Sequence, residues 1–235
     1  MKKSIKNGFT LAEVLITLGV IGVVAAMTMP TLIKKHQQHV AVTQLKKAYT
    51  ELNQAIKFSE AEYGDIKDWN WEQSKSEFFN QYFSHYLKIK QTKLSEENIT
   101  YYNISGTPQE SLGVMRDGGT QSYIIQTNSG YQLFFWDYDL SHNSGGFGIY
   151  VDINGRKKPN TFGKDVFSFY LIKNTGKFLP IAWDDRGYNN PITDRNILKN
   201  GPSIYNYQCN KDGIGHWCGA LIMQDGWKIS DDYPW

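Results

Sequence analysis

Glu13 is the residue of this chain whose chemistry most needs an explanation. From Phe9 to Met29 it is the only ionisable side chain, set among Leu, Val, Ile, Ala, Gly, Thr and Met. As a helix, this run rises roughly 30 Å, the thickness of the hydrocarbon core of a bilayer. An acid at that depth costs a few kcal/mol unless it is paired or neutralised, so we expect Glu13 to have a functional partner.

A counter-charge for Glu13 has to come from outside the apolar run, which contains no Lys, Arg or His. The run follows a short basic leader that ends at Gly8. Cleavage after Gly8 would give Phe9 a free amino group, which titrates near ~7.7–8.0. We expect this amine to pair with Glu13, within one helix or between packed helices, and so to set the register of an assembly. The alternative is an acid near the membrane interface that is neutral when buried.

The residues on either side of the apolar run help to distinguish a secretory signal peptide, an uncleaved anchor and a segment whose leader is removed. A secretory signal peptide is cut after its apolar region, usually at small residues, whereas this run ends at Met29-Pro30 and leads into a charged segment. An uncleaved anchor stays open as an alternative, although it gives Glu13 no role. Lys2, Lys3 and Lys6 favour a cytoplasmic leader, whereas Lys34 and Lys35 beyond the run weaken this argument from charge. We expect the rest of the chain to lie outside the cytoplasmic membrane, an expectation that rests partly on the family resemblance described next.

The stretch Gly8-Phe9-Thr10-Leu11-Ala12-Glu13-Val14-Leu15-Ile16 resembles the processing motif of type IV pilins and of type II secretion pseudopilins. Pro30 also matches a position where that family commonly has proline. The resemblance implies that a prepilin peptidase/N-methyltransferase cuts after Gly8 and methylates Phe9, and that Glu13 guides subunits into a helical filament. The partners it implies are other pilin or pseudopilin subunits, this peptidase, a membrane assembly platform and the lipid bilayer.

Cys209 and Cys218 are the only two cysteines. Disulfides persist in exported domains, so we expect a bridge, and closing a loop of about ten residues would stabilise the fold by roughly 2–3 kcal/mol. The alternative is a zinc site that also uses His216, but the spacing is not a paired Cys-x-x-Cys and a fourth ligand is not evident. The pilin resemblance supports the bridge, since members of that family often close a carboxy-terminal disulfide loop.

Asp152, Asn154 and Asp165 surround a glycine-containing turn and supply the oxygen ligands that Ca²⁺ prefers. The stretch is similar to one seen in many pseudopilin-like proteins, some of whose relatives bind calcium in nearby loops. Four cations, at Arg156, Lys157, Lys158 and Lys164, would repel a metal ion. Asx turns explain the same acids and amides without metal. We therefore predict no metal here and keep the three residues as calcium candidates.

Helical and strand patterns predict the elements that position these residues. Apolar residues at three- and four-residue spacing between Ala41 and Ser59 extend the first helix to about Glu62, and it should end near Gly64. A second helix with an aromatic core face is predicted around 71–89, and a terminal hairpin at 220–229. The predicted strands are Ser122–Thr127, Tyr131–Trp136, Phe147–Ile153, Val166–Ile172 and Lys177–Ile181.

Composition and motifs argue against two classes of function. The net charge is +2 and no basic stripe is evident, so nucleic-acid binding is not indicated. The glycines of Gly145-Gly146-Phe147-Gly148 lack the Gly-Lys-Ser/Thr of a phosphate loop. The five histidines are scattered and stand beside no nucleophile motif. We predict that the chain is not an enzyme and needs no cofactor.

Together these features predict an α+β fold, a pilin-like arrangement in which a long N-terminal transmembrane and amphipathic helix packs on an antiparallel sheet. The predicted parts are a leader at 1–8, a transmembrane helix at 9–29, its amphipathic extension at 30–64 and a soluble domain at 65–235. We predict a membrane-inserted subunit, a minor component of a type IV pilus or type II secretion pseudopilus. The alternative is a binding module on the same anchor, an adhesin or DNA-uptake receptor.

Overall fold

Two compact units divide the chain, Met1–Val40 and Ala41–Trp235. The computed structural model describes residues 10–95, 100–108, 122–136, 145–155, 157–183, 191–203 and 205–235. The first unit is helical from Leu11 onward, and the second contains the sheet and the remaining helices. The two cysteines and the candidate calcium residues lie in the second unit.

The helix α1 covers Leu11–Tyr63 and continues through Pro30. It ends where Gly64 takes a positive φ of 82°, a conformation that glycine adopts at low cost. Within the second unit, α1 buries one stripe of side chains at the three- and four-residue spacing of an amphipathic helix. The buried residues are Ala41, Val42, Leu45, Ala48, Leu52, Ala55, Ile56 and Ser59.

The sheet has six strands, and each strand pairs antiparallel with the next one along the chain. The strands are β1 Ile89–Ser95, β2 Ser122–Thr127, β3 Gln132–Trp136, β4 Gly146–Asp152, β5 Val166–Ile172 and β6 Phe178–Pro180. The β2–β3 turn closes at Gly130, which has a positive φ of 94°, and the Gly130 amide donates to the Thr127 carbonyl. The five strands predicted from the sequence are therefore confirmed, and β1 was missed.

The core lies on both faces of the central strands, since every residue of β4 and β5 is buried. On one face, α1 packs against the sheet through Tyr49, whose ring centroid is 5.7 Å from that of Phe169. The Tyr49 hydroxyl also donates to the Phe178 carbonyl at 3.2 Å. On the other face, a smaller cluster packs around Phe134 and Tyr150. The α+β fold with a long helix on an antiparallel sheet is thus confirmed.

The short helices correct two predictions. The helix predicted at 71–89 is only α2, Lys75–Tyr82, started by a capping box between Ser74 and Glu77, although Phe78, Phe79, Tyr82 and Phe83 are buried as expected. The predicted terminal hairpin is wrong, because its first half belongs to the helix α4, Cys218–Gln224. Cys218, Leu221 and Ile222 are buried, a helical spacing hidden in a short apolar run. A further helix, α3, covers Arg195–Asn200.

Candidate functional site

The processing residues predicted from the sequence, Gly8 and Phe9, lie outside the described residues. The described chain begins at Thr10, immediately before α1, and Glu13 occupies the first turn of that helix. The position of Glu13 is therefore known, and its local environment is set by how the helix begins.

Thr10 and Glu13 form a reciprocal capping box at the start of α1. The Glu13 amide donates to Thr10 Oγ1 at 3.2 Å, and the Thr10 amide donates to Glu13 Oε2 at 2.8 Å. The Thr10 hydroxyl also donates to Glu13 Oε2, at 2.7 Å. The spacing Thr-x-x-Glu is the sequence signature of this motif, because it satisfies two amides that the first helical turn leaves without partners.

The capping box gives the Glu13 carboxylate hydrogen-bond donors from its own chain within the apolar segment. Both bonds to the carboxylate use Oε2 and come from one residue of the same chain. Among the described residues, Thr10 is the only one that donates to Glu13, so Oε1 is left to accept from another group. The Glu13 carboxylate can therefore cap its own helix through Oε2 while Oε1 accepts a hydrogen bond from another group.

The helical surface that follows Glu13 is apolar and exposed. Within the described residues, α1 is the one helix long and apolar enough to cross a membrane, with a mean hydropathy of 2.2 over 18 residues. Most large side chains between Leu11 and Ile33 are more than half exposed, for example Leu15 at 61% and Met27 at 73%. Apolar surface of this extent requires lipid or other apolar helices around it.

The two cysteines lie side by side in the second unit, bonded in a disulfide with a Cα–Cα distance of 4.8 Å. Both are fully buried. The bridge links the loop after α3 to the first residue of α4, and the Cys209 amide donates to the Leu198 carbonyl. Gly163 packs against it so closely that a Cβ there would lie 2.7 Å from Cys218 Sγ.

His216 does not join the cysteines in a metal site. Its Nδ1 lies 2.8 Å from Ser168 Oγ, and its ring stacks on Phe162 with centroids 4.5 Å apart. Burial lowers the pKa of His216 to about 3, so the ring is neutral at physiological pH. Among the described residues, no group of three or more His, Cys, Asp or Glu side chains is arranged to hold a metal ion.

The three calcium candidates are brought together, and Asp165 is the centre of their network. Its carboxylate accepts from the Thr161 amide at 2.6 Å and from the Asn160 amide at 2.9 Å. The Asn154 side chain donates to the same carboxylate at 3.0 Å. Asp152 in turn accepts from the Asn154 amide at 3.2 Å. Amides thus occupy both oxygens of Asp165. In contrast, Asp152 Oδ2 and the side-chain oxygens of Asn154 and Asn160 are buried without a hydrogen-bond partner among the described residues.

Asp152 is the more unusual of the two acids because it is fully buried at the end of β4. Burial and the neighbouring negative charge of Asp165 raise the pKa of Asp152 to about 9, against a smaller lowering by the amides of Asn154 and Gly155. Burial also raises the pKa of Asp165. In the metal-free chain, Asp152 therefore holds its proton to a higher pH than an exposed aspartate does.

An ion-pair network near the carboxyl terminus was missed at the sequence level. Arg195 at the start of α3 contacts Asp225 at 2.7 Å and Asp232 at 2.7 Å, and Ser230 donates to Asp225. Lys199 contacts the same Asp232 at 2.5 Å. No spacing in the sequence signals this network, because its members are 30 and 37 positions from Arg195.

Comparison with known proteins gives two matches that together span most of the chain. A family model described as a family of unknown function (DUF6613) matches residues 31–235. A second model, the prokaryotic N-terminal methylation motif, matches residues 3–29. No curated protein and no solved structure matches the chain. The second match is the type IV pilin/pseudopilin signature, so the resemblance carried by the Gly8–Ile16 stretch is confirmed.

Proposed function

Because the chain belongs to DUF6613, a family of unknown function, and opens with the prokaryotic N-terminal methylation motif, we propose that it is a pilin-like filament subunit. In this proposal, a prepilin peptidase cuts after Gly8 and the new terminus at Phe9 is methylated. The product is a minor component of a type IV pilus or a type II secretion pseudopilus. The observation that carries the proposal is the methylation motif joined to an apolar helix whose first turn holds Glu13.

Before assembly, the subunit waits in the cytoplasmic membrane with its soluble domain outside the cytoplasm. The exposed apolar surface after Leu11 supports this state, because lipid tails solvate such a surface on all sides. Glu13 is tolerated there because Oε2 already accepts two hydrogen bonds from Thr10. The same bonds fix the direction in which the carboxylate points.

During assembly, a membrane platform moves subunits from the bilayer into a bundle of apolar helices. We propose that Glu13 Oε1 then accepts from the terminal amine of Phe9 in a neighbouring subunit. A charge-assisted bond of this kind gains strength in a low-dielectric bundle. Thr10 acts as a positioning residue, because it holds the other oxygen of the carboxylate.

The soluble domain takes the surface of the filament and carries any specialised contact. We propose that its candidate calcium turn is structural and works without metal, because amides occupy both oxygens of Asp165. The disulfide between Cys209 and Cys218 holds the loop and helix at the carboxyl end together.

The test uses the full chain in its native host, with the mass of its amino-terminal peptide and its share in sheared surface filaments as separate readouts. Gly8→Val should leave an uncut precursor. Glu13→Gln retains an acceptor for Thr10 but loses the charge, so it should be cut normally and be depleted in filaments. Thr10→Val should also be depleted, while Thr10→Ser, which keeps the hydroxyl, should assemble normally.

Two results would contradict the proposal. A wild-type peptide that still carries residues 1–8 in the native envelope would remove the processing step and leave a tethered domain. Normal incorporation of Glu13→Gln would remove the charge pairing. Retention of glycan or DNA by the wild-type chain, without filament incorporation, would favour the binding module instead.

A further inference from the structure

Lys34 and Lys35 are the first charged residues after Glu13 and have no ion-pair partner in the part of the chain that the structure describes. Both side chains are exposed, and neither forms an ion pair with any described residue. The sequence contains no Asp or Glu between Glu13 and Glu51, so the helix offers them no acid one turn away. Because no described residue neutralises this lysine pair, an anionic group from outside the chain can bind it.

The position of the lysine pair indicates which partner that is. From Leu11 to Ile33 the helix contains 23 residues, which rise about 35 Å and just exceed the hydrocarbon core of a bilayer. If Thr10 lies at one surface of that core, Lys34 and Lys35 reach the phosphate layer of the opposite surface. The Leu32 and Ile33 side chains before them are still exposed apolar groups suited to the acyl chains.

We propose that Lys34 and Lys35 bind the phosphate groups of anionic lipids in the leaflet that faces the soluble domain. Lysine stems extend along apolar surface while their ammonium groups reach the headgroups, and successive residues on a helix point about 100° apart, so the pair contacts two headgroups. This contact sets the depth of the waiting subunit in the membrane. It has to break when the subunit moves into a filament.

The inference rests on the proposed membrane insertion but not on filament assembly. Anionic lipid is favoured over an acidic neighbour as the partner because the apolar run places the pair at one bilayer thickness from Thr10. Attraction of a basic residue to an anionic membrane surface corresponds to about a fivefold preference for each lysine. The effect falls off within a Debye length, so salt should suppress it.

The experiment places the full chain in phosphatidylcholine vesicles that contain a trace of spin-labelled phosphatidylglycerol or spin-labelled phosphatidylcholine. The motionally restricted fraction of each probe gives the relative association constant of anionic over zwitterionic lipid. We expect the double variant Lys34→Gln/Lys35→Gln to lower that constant, by up to about fivefold for each lysine. The matched control is Lys46→Gln/Lys47→Gln, an adjacent exposed pair twelve residues further along the same helix, which should retain the wild-type value.

Each remaining outcome overturns the inference. Equal lipid preference in wild type and Lys34→Gln/Lys35→Gln would refute it, as would an equal loss in the Lys46→Gln/Lys47→Gln control. A preference that survives 1 M salt, where the Debye length is about 3 Å, would refute the electrostatic cause. Flotation of the vesicles shows whether the chain inserts into the membrane at all. A chain that inserts without lipid preference contradicts only this inference, whereas a chain that does not insert contradicts the proposed function as well. The leader lysines are the same in every variant, so a difference between variants does not come from them.

Discussion

Replacing Asp152 by Asn should make the stability of the second unit less dependent on pH. Asp152 is buried at the end of β4, and its burial and the charge of Asp165 raise its pKa to about 9. In the unfolded chain an aspartate titrates near ~3.9. Between these two pKa values the folded state holds a proton that the unfolded state has released. The contribution of Asp152 to the free energy of unfolding is therefore fully present at low pH and is lost as pH rises.

The size of the effect follows from the difference in bound protons. Where one state holds the proton and the other has lost it, the free energy of unfolding falls by about 1.4 kcal/mol per pH unit. From pH 6 to pH 8 this group alone should lower stability by roughly 3 kcal/mol, which corresponds to a Tm decrease of about 5–10 °C for a domain of this size. Burial also raises the pKa of Asp165, so this acid adds a slope of the same sign over the pH range in which it titrates.

The assay measures Tm by circular dichroism for the full chain in detergent micelles at pH 6, 7 and 8. The asparagine side chain of Asp152→Asn has nearly the shape of the neutral acid but does not titrate. Between pH 6 and pH 8, the Tm of this variant should therefore fall by about 5–10 °C less than the Tm of the wild type. The control Asp231→Asn changes an exposed acid and should keep the wild-type slope. Identical slopes in wild type and Asp152→Asn would refute the reasoning. A rise in Tm of wild type with millimolar Ca²⁺ at pH 8, reversed by chelator, would make Asp152 an ionised metal ligand instead.

Three further predictions concern the carboxyl end. The double change Cys209→Ser/Cys218→Ser should lower stability by about 2–3 kcal/mol in urea unfolding, through loss of a short closed loop. Gly163→Ala should lower Tm clearly, because this glycine has a φ of 79° and its new Cβ would lie 2.7 Å from the bridge; an unchanged Tm would show that the site relaxes freely. Arg195→Met should cost about 1 kcal/mol by removing the paired contacts to Asp225, and the loss should shrink in high salt.

The central strands were predictable because local signals agree with the tertiary fold. The bounds of β2 and β5 match the prediction, since apolar and aromatic residues there end at turns with glycine such as Gly130 and Gly176. The edge strand β1 was missed because Ile89–Ser95 carries lysine, glutamine and threonine and has no apolar alternation. The helix α4 was missed because its apolar run is too short for periodicity to separate helix from strand, and the disulfide at Cys218 fixes its first residue.

The candidate site also has parts that the sequence predicts and parts that it does not. The spacing Thr10-x-x-Glu13 is a capping signal in the sequence, but the prediction paired Glu13 with the Phe9 amine and missed the hydrogen bonds from Thr10. The Arg195 network could not be predicted, because it joins residues that only the folded chain brings together. Burial of Asp152 likewise depends on the packing of β4 and not on its immediate neighbours in sequence.

The apolar part of α1 is apolar around its whole circumference. It therefore does not by itself specify the register between neighbouring helices in an assembly. Large exposed apolar side chains occur at Leu15, Ile16 and Leu18, positions that point in different directions on a helix. Apolar burial is non-directional, so such a surface gains nearly the same free energy in many relative positions of neighbouring helices. Glu13 is the one charged group in the segment, and Thr10 fixes its orientation. The register of a filament built from this chain should therefore depend on that one carboxylate, whereas the strength of packing should depend on the apolar surface.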